Sequence, residues 1–261
     1  MEEVHLWRGT PEQRSLRSSC RKFGQFHYFD RQLDHPDWGV KTVLDFGGNV
    51  GNILVEPACT IRPERYYCLD VIRDALEEGR ARFAMARWVH YDRYNYSFNP
   101  GGVVGLPIPD LAVSFDIILA YSVFTHAGLD EMMDLVRQLR SRLAERGTLA
   151  FTFIDPHHRS RPETDAGTNL RWRLDRCRES DSSLDVGALL ERSRAASWCT
   201  LVNGRELYVD GDVDRPADPE GRETYNVYYR VDFLQRVFPD ASIRPPVNGE
   251  MQHCCILGRP A

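Results

Sequence analysis

The sequence predicts an α/β protein of three layers, α/β/α, in which helices cover both faces of a mostly parallel sheet and a cap is inserted after the fifth strand. Three observations carry that reading. Between Lys41 and Ile154, short apolar runs alternate with stretches of helical spacing. Strands alternating with helices form βαβ units, whose parallel sheet needs a helical layer on each face. The rhythm then fails. Residues 156–224 are rich in Arg, Asp, Ser and Glu yet keep enough apolar residues to fold as a cap.

Taken in order, residues 1–40 are polar with interspersed aromatics (Trp7, Phe23, Phe26, Tyr28, Phe29, Trp38) and read as a helical lid of one or two short helices. The core, 41–155, opens with an apolar strand at 42–46. That strand breaks into a glycine-rich loop, and a helical stretch is expected to open near Asn52. Further strands are expected at 66–70, 87–92, 115–120 and 148–153, with a helix over 72–87. Met132, Leu135, Val136, Leu139 and Leu143 fall at helical spacing and predict a helix over 129–146, ended by Gly147. The cap, 156–224, contains a short apolar helix near 186–190 and strand-like patches at 199–202 and 206–209. Residues 225–261 close the single domain with an ordered run at 225–229, a helix over 231–237 and strands at 241–244 and 253–257.

Composition narrows the class. The 261 residues suffice for one sizeable core, and 42% hydrophobic with 27% charged residues is ordinary for a globular protein. The formal charge of -5, with no Lys/Arg block, disfavours a nucleic-acid partner. Seven scattered cysteines without a C-x-x-C pair argue for reduced thiols and against a disulfide scaffold or zinc site. No window offers the ~20 apolar residues of a bilayer span, and Met-Glu-Glu-Val-His starts no signal peptide. The expectation is a cytoplasmic protein with no membrane partner.

The loop after the first strand carries the chemistry. A parallel sheet binds ligands at the carboxyl ends of its strands, where strand-to-helix loops expose backbone N–H groups. The dinucleotide fingerprint G-x-G-x-x-G needs glycines where Asn49 and Asn52 stand, and no G-K-[ST] follows, so a pyrophosphate ligand is disfavoured.

The run Val43-Leu44-Asp45-Phe46-Gly47-Gly48-Asn49-Val50-Gly51-Asn52 resembles the first motif of class I S-adenosylmethionine (SAM)-dependent methyltransferases, Asp-x-Gly-x-Gly-x-Gly. Gly47 and Gly51 match the outer glycines, and Asn49, which tolerates a left-handed backbone, replaces the middle one. The resemblance covers residues 40–154 and returns over the closing segment, but not the cap. It implies a Rossmann-like fold with an antiparallel last strand and SAM as cofactor. It also assigns Asp45, Phe46, Gly47, Gly48, Asn49 and Gly51 to the loop that carries the methionine part. Asp70 would hold the ribose hydroxyls, Val71 would pack near the adenine, and Asp92 would contact the adenine amino group. Tyr91 would line the ring, and Tyr121 would face the same cleft. Alone, a glycine loop is a weak signal and an Asp at a strand end is often a helix N-cap. Together and in order they form a site.

Methyl transfer from a sulfonium needs an aligned nucleophile and, for a hydroxyl or acid, removal of its proton. Three histidines are candidates. His126, after the fourth strand, is either a general base or a fastener of the loop into the next helix, and the second role is favoured. His157 and His158 follow Asp155-Pro156, and being adjacent only one is expected to face the cleft. His253 reads as a satisfied core histidine. No third ligand at metal spacing joins Asp155 and the histidines, so no metal is expected. The segment 115–126 lacks the Asn/Asp-Pro-Pro-Tyr/Phe element of enzymes acting on exocyclic amines, and Tyr121 stands where catechol-type enzymes place a Mg²⁺-binding acid. The reading is metal-independent methylation of a small organic acceptor, on oxygen in preference to nitrogen or carbon, in secondary-metabolite tailoring. The alternatives are a peptide or protein side chain docked on the cap, and a non-catalytic scaffold that retains the fold.

Overall fold

The computed structural model describes residues 24–159, 168–219, 223–247 and 250–260. The expected lid residues Trp7 and Phe23 lie outside them. The chain enters through helix α1 (Gln25–Gln32), whose Phe26, Tyr28 and Phe29 are buried. Strand β1 (Val43–Phe46) is buried on both faces, as a central parallel strand must be. Strand β2 (Tyr66–Asp70), helix α2 (Arg73–Arg82), strand β3 (Arg87–His90) and strand β4 (Phe115–Ala120) follow. Next come helix α3 (Leu129–Ser141) and the long strand β5 (Leu143–Phe153). The cap contributes α4 (Asn169–Ser180), α5 (Val186–Ala195), β6 (Trp198–Val202) and β7 (Glu206–Val209). The closing elements are β8 (Tyr225–Tyr229), α6 (Val231–Val237), β9 (Ser242–Arg244) and β10 (His253–Gly258).

Seven strands form one sheet in the order β3-β2-β1-β4-β5-β10-β9. The pairs β1–β2, β2–β3, β1–β4 and β4–β5 are parallel, while β10 runs antiparallel to both its neighbours. The expected mostly parallel sheet with a reversed last strand is therefore present. On one face, Met132, Leu135, Val136 and Leu139 of α3 form the stripe that packs on Leu44, Ile118 and Phe151. On the other, α1 and α2 cover Val43, Tyr66, Cys68 and Leu119. Each such side chain contributes about 1.5–3 kcal/mol when fully buried.

A second sheet, β7-β6-β8, joins two strands of the segment expected as a cap, 156–224, to a strand beyond it. The run 225–229 joins this sheet, antiparallel to β6, and α4 and α5 cover its outer face through Leu170, Leu174 and Val186. The Tyr229 hydroxyl donates to the Ala127 carbonyl at 2.6 Å, fastening the cap to the segment after β4.

Several expectations need correction. The stretch after β1 is a series of turns, because Gly51 adopts φ +77° and Pro57 leaves too few residues for a helix. Helix α3 stops at Ser141. Arg142 gives its carbonyl to the Phe115 N–H, and Leu143 is already paired with Phe115. Gly147 is no helix cap. A Cβ there would lie 2.6 Å from the Phe115 carbonyl, so the glycine permits the close approach at the bulge between β4 and β5. The elements expected at 72–87 and 87–92 end earlier, at Arg82 and His90.

Among the described residues no helix is long and apolar enough to cross a membrane.

Candidate active site

The carboxyl end of β1 turns sharply because three consecutive odd positions take left-handed backbone: Gly47 (φ +74°), Asn49 (φ +55°) and Gly51 (φ +77°). The first and last also sit against other side chains. A Cβ on Gly47 would fall 2.4 Å from Val123, and one on Gly51 would fall 2.7 Å from Trp88. Asn49 adopts the conformation that its side chain permits, and its amide donates to the Asp70 Oδ2 at 2.8 Å. The loop is thereby locked to the end of β2.

Asp70 is the hub. Its Oδ1 accepts from the Ile72 amide at 2.8 Å, so each carboxylate oxygen holds one backbone N–H. Burial raises its pKa, and the amides of Ile72, Asn49 and Val71 oppose that rise. A carboxylate offers about four acceptor sites, so capacity for a ligand hydroxyl remains beyond these amides. Asp45 lies beneath the loop, 2% exposed, and takes the Tyr66 hydroxyl at 2.6 Å on Oδ2. Burial pushes its carboxyl up to about 7, partly offset by Tyr66.

The neighbouring candidates divide by exposure. Phe46 is buried, with its ring 6.1 Å from that of the buried Tyr91. The Tyr91 hydroxyl donates to the Leu106 carbonyl. Val71 is half-buried and gives its carbonyl to His90 Nε2 at 3.3 Å. Asp92 is exposed and accepts from Asn99 Nδ2 at 3.0 Å. Tyr121 stands edge-on to Tyr28 and Phe29 of α1, and its hydroxyl donates to Glu250 Oε2 at 3.3 Å. Burial raises the Glu250 carboxyl, opposed by Tyr121.

The three candidate histidines are not brought together. His126 Nδ1 meets the Tyr225 carbonyl at 2.6 Å, a bond between the loop after β4 and the cap. His157 is exposed, with Nε2 3.3 Å from the Ser193 carbonyl of α5. His158 is half-buried and lies edge-on to His253, with ring centroids 4.7 Å apart. Asp155 spends both oxygens on backbone, accepting from the His157 and Val231 amides. Among the described residues no three His, Cys, Asp or Glu side chains form a cluster able to hold a metal. His253 is buried as expected but not satisfied, since Nδ1 has no hydrogen-bond partner among the described residues.

Sequence reasoning passed over Thr152, Glu250 and Gln252. Thr152 Oγ1 donates to Gln252 Oε1 at 2.5 Å and accepts from the Ser122 amide at 2.7 Å, while Tyr28 donates to the Gln252 carbonyl at 2.9 Å. No motif marks them, because β4, β5, β10 and α1 meet only in the folded chain.

Residues 44–149 match the model of a family described as a methyltransferase domain. No curated protein sequence matches the chain. Among solved structures, the pyocyanin biosynthetic protein PhzM is similar over 95% of this chain and 58% of its own, with 12% identity and a TM-score of 0.51. The glycopeptide N-methyltransferase MtfA, complexed with S-adenosyl-L-homocysteine (SAH), is similar over 96% of this chain and 98% of its own, with 11% identity and a TM-score of 0.49. PKMT2 from Rickettsia typhi, in complex with AdoHcy, is similar over 56% of this chain at 16% identity and a TM-score of 0.38. The chain spans only 26% of the length of PKMT2. At these identities the likeness is one of fold. The family match and the strand order agree: residues 44–149 match a methyltransferase domain and lie within a mostly parallel, Rossmann-like sheet.

Proposed function

We propose that the chain transfers a methyl group from SAM to a small organic acceptor, on oxygen in preference to nitrogen or carbon and without a metal ion. The observation that carries the reading is the Asp70 carboxylate. Its two oxygens are oriented by the amides of Asn49 and Ile72 at the carboxyl end of β2. The donor set fits SAM: Asp70 would hold the vicinal ribose hydroxyls, and the 47–51 loop would hold the methionine part. When bound, SAM supplies a methyl group already activated by its sulfonium.

The chain's own residues do the rest. Asp45 stiffens the loop from below through Tyr66, and Gly48 lies directly over its carboxyl. Tyr91 and Val71 form the adenine wall, with Asp92 at the rim. Tyr121 lies between this donor end and the end of β5. The cap is fastened over the same edge by His126, Tyr229 and the Tyr96–Tyr225 ring stack at 4.8 Å, and excludes water from the acceptor. This enclosure favours a compact acceptor, as in secondary-metabolite tailoring in the cytoplasm. In this reading His158 is the candidate that meets the acceptor, since His126 holds the cap and His157 is tied to α5.

Calorimetric titration with SAM tests the reading. Saturation at 100 times Kd is expected to stabilise the fold by about 2.7 kcal/mol, visible as a raised Tm. Titration with neither heat nor stabilisation would sink it.

A further inference from the structure

We propose that His253 is an acceptor-binding residue, its imidazole taking the hydrogen of the hydroxyl that is to be methylated. The proposal rests on the donor reading above and names what stands on the other side of the site.

Placement comes first. His253 opens β10 in register with Phe153, the last residue of β5, so it lies at the carboxyl edge of the parallel strands. With strands ~4.8 Å apart, β10 is roughly 10 Å from β4 and about 14 Å from β1. That puts His253 on the same edge of the sheet as the donor loop, three strands along from β1.

The ring is oriented without hydrogen bonds. It stacks on Phe153 at 5.3 Å and 23°, and His158 meets it edge-on at 81°. Around it the buried polar groups have found partners. Thr152 and Gln252 bond each other, and Asn169 accepts from the Tyr228 hydroxyl at 3.1 Å. His253 Nδ1 has none among the described residues, although the residue is only 6% exposed. A buried polar atom left unmade costs its full desolvation, and its retention calls for a role.

The chemistry fits a neutral hydroxyl. Burial, assisted by His158, pushes the His253 pKa down to about 4, so the ring is uncharged at neutral pH. A neutral imidazole keeps one lone-pair nitrogen to accept an O–H, and it does not repel the sulfonium that an imidazolium would oppose.

The test uses the full chain loaded with SAH and two probes: phenol, which donates a hydrogen, and fluorobenzene, which does not. Binding is followed by the ¹⁵N shift of the His253 ring and by titration. The parent is expected to prefer phenol at least 10-fold. His253→Phe is expected to match or exceed the parent's Tm, to bind SAH unchanged and to lose the preference. His253→Gln, which keeps an acceptor, is expected to retain part of it, and serves if the Phe variant fails to fold. SAH binding with no phenol preference in the parent, or a preference that survives in His253→Phe, overturns the proposal alone. So does a His253→Phe variant less stable than the parent, because its nitrogen was then paired inside the fold. A parent that does not bind SAH overturns the donor reading and this proposal together.

Discussion

At the β1–β2 end of the sheet, the polar groups are tied over short sequence distances: Asn49 to Asp70 and Tyr66 to Asp45 are each 21 residues apart, and Ile72 to Asp70 only two. At the β5–β10 end the partners come from across the chain. Thr152 reaches Gln252 over 100 residues, Tyr121 reaches Glu250 over 129, and Tyr28 reaches Gln252 over 224. One end is a loop motif closed on itself with its carboxylates oriented. The other is assembled from segments distant in sequence and, among the described residues, keeps an unpartnered nitrogen. A donor common to many enzymes suits the first arrangement, and an acceptor peculiar to one enzyme suits the second.

The sharpest way to break this comparison is a matched pair of glycine substitutions, one at the loop and one in the cap. Gly51→Ala forces a left-handed alanine and drives its Cβ to within 2.7 Å of Trp88, so a loss of roughly 2–4 kcal/mol is expected in urea unfolding. Gly204→Ala has almost the same φ, +71°, but the nearest atom to its Cβ is that of Cys177 at 3.3 Å, so about 1–2 kcal/mol is expected. Equal losses would show that packing at the donor loop is no tighter than in the cap.

The two ends also carry buried titratable groups of opposite sign. Asp45, raised by burial to about 7, keeps its proton in the folded state after the unfolded chain has lost it. Stability is therefore fully present below the ordinary carboxylate range and falls as pH rises towards 7, by on the order of a few kcal/mol. Asp45→Asn is expected to remove that fall, read as Tm of parent minus variant against pH. His253, held down to about 4, acts the other way. Its contribution is present above the ordinary histidine value near 6.5 and is lost as pH falls through 4, and His253→Phe is expected to abolish that loss. If the two difference curves slope alike, one of the assignments is wrong.

The same contrast explains what could be read from the sequence. The core strands and α3 were legible because periodicity and motif order act locally, and the reversed last strand followed from the family resemblance. Asn49 was legible as a left-handed residue, and φ +55° agrees. The turns after β1 were not, because the apolar spacing past Asn52 outweighed Gly51 and Pro57 in the reading. Helix α3 was extended through Leu143 because that residue fits the helical stripe, whereas pairing with Phe115 takes it into β5. The cap hairpin carries a signal that went unused: Asn203-Gly204, both left-handed, lies between β6 and β7. Glu250, Gln252 and the missing partner of His253 have no local signature at all, since each depends on contacts made across the folded sheet.

The most direct measurement is SAM titration of the parent and Asp70→Ala, with circular dichroism confirming that both are folded. Two hydrogen bonds to a charged group, at roughly 1.5–3 kcal/mol each, predict that SAM binds the parent and binds the variant about 100-fold more weakly or worse. Equal affinity in the two proteins would contradict the account, because the ribose would then rest on some other residue.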